Sequence, residues 1–168
     1  RSPINSLASN AAGNRLVSGS EGGELFLWQI NFSESDAFAQ PTFKYQAHDG
    51  AIGAVTYCAG SEPGSVEFIL SASREGIIKI WPISDGRSGE WSSLPREFKS
   101  LHGVAFAPTG RKLAVLTWDS LYCYAFPSQD MVFESDAGGG RVHFSPTGDY
   151  MATTGKHHGI PRREPCHI

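Results

Sequence analysis

An internal repeat constrains the fold of this chain more than any other feature of its sequence. The segment from Phe106 to Ala114 recurs 38 residues later, from Phe144 to Ala152, and both copies place Pro-Thr-Gly between apolar residues. In such a tripeptide Pro fixes φ at the first corner of a tight turn and Gly supplies positive φ, so the flanking segments can pair as antiparallel strands. Periodicity on this scale predicts an array of small units that stack on one another.

A second repeat predicts further hairpins. The segment from Ser18 to Trp28 matches the segment from Ser71 to Trp81 at a displacement of 53 residues, and a third copy that is one residue shorter ends at Tyr124. Each copy is a strand, a turn and a strand that closes on an aromatic residue. The 19 glycines and 10 prolines divide the chain into short segments, none of which has apolar residues at helical spacing. The sequence therefore predicts a chain made almost entirely of strands and turns.

Composition narrows the classes of function. The 168 residues carry 14 basic and 17 acidic side chains spread along the chain, so no basic patch indicates a nucleic-acid partner. No apolar run reaches the ~20 residues that a membrane helix needs. Cys58, Cys123 and Cys166 are odd in number and widely spaced, which argues against a disulfide framework and predicts a reducing compartment, the cytoplasm or nucleus.

These repeats resemble the WD-repeat (WD40-type) β-propeller family, in which a repeat of about 40 residues folds as one four-stranded antiparallel blade. The resemblance covers residues 1–155. It implies an all-β propeller with about three complete blades and a truncated fourth, part of a seven-bladed propeller. No repeat ends in the Trp-Asp pair that names the family, since Gln29 follows Trp28 and Pro82 follows Trp81. We therefore expect a diverged and incomplete member.

The strands of these blades can be placed from the repeat. We predict strands at 4–9, 15–20, 24–29 and 42–46; 52–58, 67–72, 77–81 and 96–99; 102–106, 112–117, 120–125 and 131–134; and 140–144 and 149–154. The first strands of the four blades share an apolar position that we expect to be buried, occupied by Leu7, Val55, Val104 and Val142. Between the strands, residues 31–41 and 84–95 are predicted to be mobile linkers.

The second repeat best fits the buried polar network that the resemblance implies. The family links a His before the first strand, a Ser or Thr in the second strand, an acid in the next turn and the closing Trp, and these places are taken here by His48, Ser71, Glu75 and Trp81. Such a network satisfies its own donors and acceptors and fixes the strands, so its predicted role is structural.

The other repeats keep less of this network. The first has Ser18 and Trp28 but Gly22 at the place of the acid, and the third has Val115 and Tyr124 at the places of the hydroxyl and the Trp. We expect both blades to depend on packing.

The last residues depart from the repeat. Residues 156–168 are predicted to be an irregular tail, since Pro161 and Pro165 remove backbone donors and resist a central strand. We expect this tail to be foreign to the propeller, through truncation, an alternative terminus or an incomplete gene model. Blades missing from the ring would leave exposed sheet edges, which invite pairing or aggregation.

The resemblance implies a non-catalytic scaffold or adaptor that binds other proteins within a multi-subunit complex and needs no cofactor. The loops that precede the first strands and those that join second to third strands share one face of a propeller, the face that usually binds partners in the family. Candidate partner-binding residues on this face are His48, Asp49, Arg74, His102, Trp118, Asp119 and Arg141. Trp118 is the candidate anchor, because an aromatic residue in a short turn can bury a large area, although packing between blades is an equal alternative.

An enzyme is the alternative class. Some propellers are hydrolases or metal-dependent enzymes with a site in the central channel, but the first-strand positions nearest the channel, Ala54, Gly103 and Arg141, form no such set. His157, His158, Cys166 and His167 are zinc-binding residue types at a spacing that matches no known pattern. Glycine-serine elbow, Cys-x-x-Cys and phosphate-loop motifs are absent from the sequence.

Overall fold

The computed structural model describes residues 2–32, 37–58, 66–84, 87–88, 92–94, 96–136, 138–154 and 164–165. These residues form four antiparallel sheets, three of them built from strands that follow one another along the chain. The first sheet contains β1 (Ile4–Ser9), β2 (Arg15–Ser20), β3 (Glu24–Phe32) and β4 (Ala37–Gln46). The second contains β5 (Ile52–Cys58), β6 (Glu67–Ser73), β7 (Ile78–Ser84), β8 (Arg87–Ser88) and β9 (Ser92–Ser93).

The third sheet contains β10 (Leu101–Phe106), β11 (Lys112–Thr117), β12 (Leu121–Ala125) and β13 (Met131–Ser135). The fourth contains β14 (Arg141–Phe144), β15 (Tyr150–Thr154) and β16 (Glu164–Pro165). The prediction of an all-β chain of repeated antiparallel blades is therefore confirmed. The described residues include no helix long and apolar enough to cross a membrane.

Neighbouring sheets pack face to face through apolar side chains. Val17 and Leu27 of the first sheet lie against Val55 and Trp81 of the second. A second core joins the second sheet to the third, and a third core joins the third sheet to the fourth. Each sheet is thus buried on the faces that meet a neighbour, and the order of the sheets in space follows their order in the chain.

A polar contact joins the first two sheets at the edge of their core. Arg15 Nη1 lies 2.6 Å from Glu67 Oε2, and the Tyr57 hydroxyl donates to the same carboxylate oxygen at 2.5 Å. Burial and the Glu67 carboxylate together raise the pKa of Tyr57 to about 12, so the phenol stays protonated and remains a donor.

Two predicted strand positions were wrong. The fourth strand of the first sheet begins at Ala37 rather than 42, because β3 and β4 pair as far as Phe32 opposite Ala37, and a bulge beside Trp28 accommodates Pro41. Most of the predicted linker over 31–41 is therefore strand.

In the second sheet, the predicted strand at 96–99 is absent, because the edge of β7 is already paired with β8 and β9. The chain then turns inward, and Phe98 is buried with its backbone N–H donating to the carbonyl of Gly76 at 2.9 Å. The predicted linker over 84–95 thus contains two short strands among its described residues.

The predicted burial of the first strands holds at one end of the array and fails at the other. Val55 and Val142 are buried, and Val104 is half-buried. Leu7 is 59% exposed, because no described element covers the outer face of β1.

Of the predicted tail, the structure describes only residues 164–165, which pair with β15. The remainder lies outside the described residues, so the boundary near residue 155 stays a prediction.

Candidate functional site

One face of the array is formed by two kinds of loop, and we call it the loop face. It contains the turns β2–β3, β6–β7 and β11–β12 together with the loops that lead into β5, β10 and β14. In two successive sheets the turn is hydrogen-bonded to the loop that leads into its own sheet, from Arg74 N to Ala51 O at 2.9 Å and from Trp118 N to Ser100 O at 3.0 Å. These backbone bonds place the turns and the lead-in loops side by side, as predicted from the resemblance.

Each turn on the loop face is fixed by a buried hydroxyl that the sequence analysis missed. Ser20 Oγ accepts from the backbone N–H of Glu24 at 3.0 Å, and Thr117 Oγ1 accepts from that of Ser120 at 3.0 Å. Ser73 occupies the same position in the second sheet, with a longer contact of 3.3 Å to the N–H of Ile77. The signal was present in the repeat, because a hydroxyl residue stands two positions after Ser18, Ser71 and Val115.

The residue after each hydroxyl points away from the sheet, and its chemistry changes along the array. Glu21 and Arg74 take this position in the first and second sheets, and their side chains form an ion pair at 3.2 Å. In the third sheet the position is held by Trp118, which is 59% exposed. The loop face therefore changes from a paired charge on one side to an exposed indole on the other.

The surroundings of Trp118 are ordered by short contacts. Its ring centroid lies 5.2 Å from that of His102, with a tilted geometry. Thr117 Oγ1 donates to Asp119 Oδ1 at 2.9 Å, and Gly139 N donates to the Thr117 carbonyl at 2.8 Å. The turn that carries the indole is thus held from the third sheet and from the loop that leads into the fourth.

The predicted partner-binding residues separate into an exposed set and one buried residue. Six of them are exposed on the loop face: Asp49, Arg74, His102, Trp118, Asp119 and Arg141. His48 is only 5% exposed, so its inclusion in the partner-binding set was wrong. Its side chain turns inward because a hydroxyl partner is available beneath it.

That partner is part of the predicted structural network, of which the structure brings three members together. The imidazole Nε2 of His48 lies 2.9 Å from Ser71 Oγ, and the indole N–H of Trp81 donates to the same oxygen at 2.9 Å. Glu75 is left outside this set. It is exposed, and its carboxylate lies against Gly50, where a Cβ would collide with it.

The electrostatics of His48 follow from this arrangement. Burial, assisted by the nearby Lys79 ammonium, lowers the pKa of His48 to about 4. The imidazole is therefore neutral at physiological pH. Its Nδ1 is buried and has no hydrogen-bond partner among the described residues. The ring acts as a packed, polar structural element rather than as a proton carrier.

In the first and third sheets, the positions that correspond to Ser71 and Trp81 make different contacts. In the first sheet the indole N–H of Trp28 donates to Ser18 Oγ at 2.9 Å, so a hydrogen bond supplements the packing that we predicted. In the third sheet Val115 and Tyr124 are both buried, as expected for a blade that depends on packing. Phe98 lies beside them, with its ring centroid 6.3 Å from that of Tyr124.

The first-strand positions nearest the predicted channel, which an enzyme of this fold would use, do not form a set of catalytic side chains. Ala54 and Gly103 are half-buried, and Arg141 is exposed. Within the part of the chain that the structure describes, no three His, Cys, Asp or Glu side chains are placed to share a metal ion. His157, His158, Cys166 and His167 lie outside the described residues. The thiols of Cys58 and Cys123 are buried, and burial raises the pKa of Cys58 to about 11.

Comparison with known proteins gives matches at the level of sequence and of structure. The family model for the WD domain, G-beta repeat, matches residues 1–29 and 39–82. Over 77 residues the chain is 31% identical to dynein axonemal assembly factor 10 of Chlamydomonas reinhardtii, covering 45% of this chain and 20% of that protein. Over 83 residues it is 26% identical to the target of rapamycin complex subunit wat1 of Schizosaccharomyces pombe, covering 49% of this chain and 25% of that protein.

The crystal structure of the β-propeller domain of Cps50 (Swd1) from Myceliophteria thermophila matches with a TM-score of 0.68 and 13% identity. The match covers 91% of this chain and 49% of that domain, and at this identity it shows the fold alone. The chain thus spans about half the length of that propeller domain. Its alignments cover a quarter or less of the two relatives found by sequence.

Proposed function

The chain belongs to the WD-repeat β-propeller family, and we propose that it is a non-catalytic scaffold that binds another protein through its loop face. Function on a common fold depends on the particular surface that the fold displays, and here that surface is the loop face. Its centre is Trp118, and the partner is another protein in a larger complex.

The observation that carries the proposal is the exposure of Trp118. A tryptophan that packed between blades would be buried, as Trp81 is, whereas 59% of Trp118 is exposed. Single apolar residues are common on protein surfaces, but tryptophan is enriched among the residues that dominate protein interfaces. The sequence left two roles open for Trp118, packing between blades and anchoring a partner. Anchoring a partner is the role that accounts for its exposure.

The fixed backbone around Trp118 supports the same conclusion. Hydrogen bonds from Trp118 N to Ser100 O and from Gly139 N to Thr117 O hold the turn on both sides. A binding residue on an ordered turn loses little conformational entropy when a partner binds. The indole is therefore presented in advance rather than recruited by folding on contact.

Polar and charged side chains around the indole complete the proposed surface. Asp119 and His102 flank Trp118, and Arg141 is the first residue of β14 in the fourth sheet. Asp49 and Arg74 lie toward the second sheet, where Arg74 is paired with Glu21. Such rim charges contribute more to the choice of partner and the rate of association than to affinity.

The relatives support a role in assembly. One is named as an assembly factor and the other as a complex subunit. By analogy we infer that this chain also acts within a multi-subunit complex, inside the cell, where the predicted reducing compartment lies. Neither membrane nor nucleic acid is part of the proposal.

The test compares two substitutions of exposed aromatic residues in tagged protein expressed in its native cells. Trp118→Ala removes the proposed anchor, while Phe32→Ala removes a side chain that is 69% exposed at the end of β3, away from the loop face. Quantitative mass spectrometry of affinity-purified material identifies proteins recovered with the unsubstituted chain. We expect Trp118→Ala to deplete at least one of them about tenfold or more, since loss of an anchor commonly weakens binding by ~2 kcal/mol.

Phe32→Ala is expected to retain the same proteins at unchanged levels. Equal recovery with both variants would contradict the proposal that the loop face binds through Trp118. Depletion with Phe32→Ala alone would move the binding surface to the opposite end of the sheets.

A further inference from the structure

The turn between β11 and β12 presents an aromatic ring and a carboxylate side by side on the loop face. Trp118 and Asp119 are consecutive in the chain, and both are exposed. Among the residues that the structure describes, no Lys or Arg forms an ion pair with Asp119 or lies over the Trp118 ring. The turn therefore offers two groups that attract a cation, and no described basic side chain of this chain occupies them.

In the first sheet, a neighbouring ring and carboxylate hold a basic side chain of the chain itself. Lys44 Nζ lies 5.5 Å from the centroid of the Phe26 ring and 2.5 Å from Glu24 Oε1. Phe26 and Glu24 are two residues apart on β3, so they project from the same face of the strand. Lys44 stands opposite Phe26 on β4. One lysine therefore contacts a ring and a carboxylate together.

A second basic side chain repeats this arrangement on the third sheet. The guanidinium of Arg96 lies 4.5 Å from the centroid of the Tyr122 ring, and its Nη1 lies 3.8 Å from Glu134 Oε2. Tyr122 and Glu134 pair across β12 and β13, which brings the ring and the carboxylate together. The face of a ring attracts a cation, and a carboxylate beside the ring adds a charge pair. In two places, then, this chain fills such a combination with Lys or Arg.

The carboxylates of the first and third turns on the loop face differ in how they are satisfied. Glu21 Oε2 accepts from Asn5 Nδ2, and Glu21 Oε1 lies 3.2 Å from Arg74 Nη1, so both oxygens are used and the charge is paired. Asp119 accepts from Thr117 Oγ1 at 2.9 Å. This donor is a neutral hydroxyl, which orients the carboxylate without compensating its charge. Asp119 therefore keeps an unpaired negative charge beside an exposed ring.

The backbone beneath Trp118 and Asp119 is held in place. Gly138 approaches so closely that a Cβ there would collide with the backbone of both residues. The His102 ring lies against the indole, with 5.2 Å between the ring centroids, and still leaves 59% of Trp118 exposed. The ring and the carboxylate are thus positioned before a partner arrives, which reduces the entropy lost on binding.

We propose that the protein bound by the loop face places a Lys or Arg side chain on the Trp118 ring and beside the Asp119 carboxylate. This proposal rests on the proposed function of the loop face and adds the chemistry by which the partner is recognised. Tryptophan attracts cations more strongly than the other aromatic side chains, and a long basic side chain can reach two consecutive residues of one turn. An anionic partner would instead be drawn to Arg141 at the start of β14, and substitution separates the two kinds of partner.

The first test removes the charge and keeps the shape. Asp119→Asn retains an oxygen that can accept from Thr117, so the turn is preserved. Asp149→Asn is the matched control, because Asp149 is exposed beside the turn between β14 and β15, at the end of the sheets opposite the loop face. Both variants are tagged and expressed in the native cells, and quantitative mass spectrometry follows the proteins that Trp118→Ala depletes.

Asp119→Asn is expected to lower the recovery of these proteins about fivefold or more, because the bound partner excludes water from the charge pair and strengthens it. Asp149→Asn is expected to leave their recovery unchanged. Far-ultraviolet circular dichroism of the purified variants verifies that each keeps its strands. Equal recovery with the two variants would overturn the proposal.

The second test separates a cation from an apolar side chain as the group that contacts the indole. Trp118→Phe keeps an aromatic face, whereas Trp118→Leu keeps apolar area without one. A cation needs the aromatic face, so Trp118→Leu should deplete the partner as strongly as Trp118→Ala, and Trp118→Phe should retain more of it. Equal recovery with Phe and Leu at this position would mean that an apolar side chain makes the contact.

The outcomes distinguish failure of the cation site from failure of the proposed function. If Trp118→Ala depletes a protein that Asp119→Asn leaves unchanged, the loop face binds through Trp118 but the partner presents no cation to it. If Arg141→Gln depletes that protein and Asp119→Asn does not, the partner presents an anion, which also overturns the proposal. If Trp118→Ala depletes nothing, the proposed function fails and the cation site fails with it.

Discussion

In the second sheet the buried His48 imidazole is hydrogen-bonded to Ser71, whose hydroxyl oxygen also accepts from Trp81. At the corresponding place in the third sheet the ring of Phe98 lies against that of Tyr124. The two places correspond through the backbone. The N–H of His48 donates to the carbonyl of Gly23 at 3.1 Å, and that of Phe98 donates to the carbonyl of Gly76 at 2.9 Å.

The backbone at His48 approaches Gly23 as closely as the backbone at Phe98 approaches Gly76. Gly23 and Gly76 have φ values of 77° and 93°, and a Cβ at either would collide with the carbonyl of His48 or Phe98. The backbone of a blade is thus maintained, whereas the side chains inside the blade change together. A polar His, Ser and Trp in one sheet become an apolar Phe, Val and Tyr in the next. Substitutions should therefore destabilise the third sheet through lost packing and the second sheet through lost hydrogen bonds.

Removing the apolar centre of the third sheet should have the largest effect. Phe98 is 2% exposed and contacts the rings of Tyr122 and Tyr124. Phe98→Ala should lower the free energy of unfolding by about 3–5 kcal/mol, through lost burial and the cavity left behind. Urea unfolding at a fixed chain concentration measures this, since association would otherwise shift the result. A loss below ~1 kcal/mol would show that the third sheet does not depend on this packing.

Removing the polar centre of the second sheet should have the next largest effect. Ser71→Ala deletes the oxygen that binds both His48 and Trp81, and two buried hydrogen bonds at ~1 kcal/mol each predict a loss of about 2 kcal/mol. Ser18→Ala is the control in the first sheet, where the oxygen binds only the half-buried Trp28. Its expected loss is about half as large. Equal losses would mean that the bond to His48 contributes nothing.

Lowering the pH should reduce the stability of the second sheet through protonation of His48. It should not act on Phe98, the counterpart of His48 in the third sheet. The pKa of His48 is about 4 in the folded chain and ~6.5 when unfolded, so between these values the unfolded state binds the proton more readily. Stability should fall as pH drops through this window, by ~1.4 kcal/mol from pH 7.5 to pH 5.5. His48→Phe, which installs the residue type of the third sheet, should remove this part of the pH dependence. An unchanged pH profile in the variant would rule out His48 as its source.

The smallest effect concerns the hydroxyls that the two sheets share. Thr117→Val and Ser73→Ala each remove a hydroxyl that accepts from the backbone of a turn, with an expected loss of about 1 kcal/mol. Thr117 also donates to Asp119, so its substitution should be the more harmful of the two. Amide hydrogen exchange at Ser120 and Ile77 would report the local loosening, and a larger effect at Ile77 would reverse the expected order.

Much of the fold could be predicted because the repeat encodes it locally. Pro-Thr-Gly turns and alternating apolar residues determine hairpins within a few residues, and the predicted strand 15–20 agrees with the observed strand Arg15–Ser20. The long pairing of β3 with β4 was missed, since Pro41 indicates a break in a strand, and β4 accommodates it beside a bulge where Leu27 pairs with Phe43 and Trp28 with Pro41.

The candidate site was predictable in its placement but not in its details. Register alone located the turns that carry Arg74 and Trp118. It could not show that Glu75 turns away from His48, because side-chain direction in a turn depends on contacts such as that with Gly50. Nor could it identify Phe98 as the counterpart of His48, since the two sheets differ by one residue in the spacing of their lead-in loops.

The exposure of Leu7 shows a different limit. A repeat predicts that each copy is buried by its neighbour, and this rule holds only where a neighbour is present. Val55 obeys it and Leu7 does not, although both occupy the same position. Burial is a property of the assembly, whereas the repeat reports a property of the single blade.

Site-specific photo-crosslinking in cells tests whether the loop face binds a protein through Trp118. A benzoylphenylalanine placed at position 118 lies on the proposed contact, and one placed at position 32 is the exposed control. We expect a covalent adduct of defined mass from position 118 that is absent from position 32. Adducts from position 32 alone, or the same adducts from both positions, would contradict it.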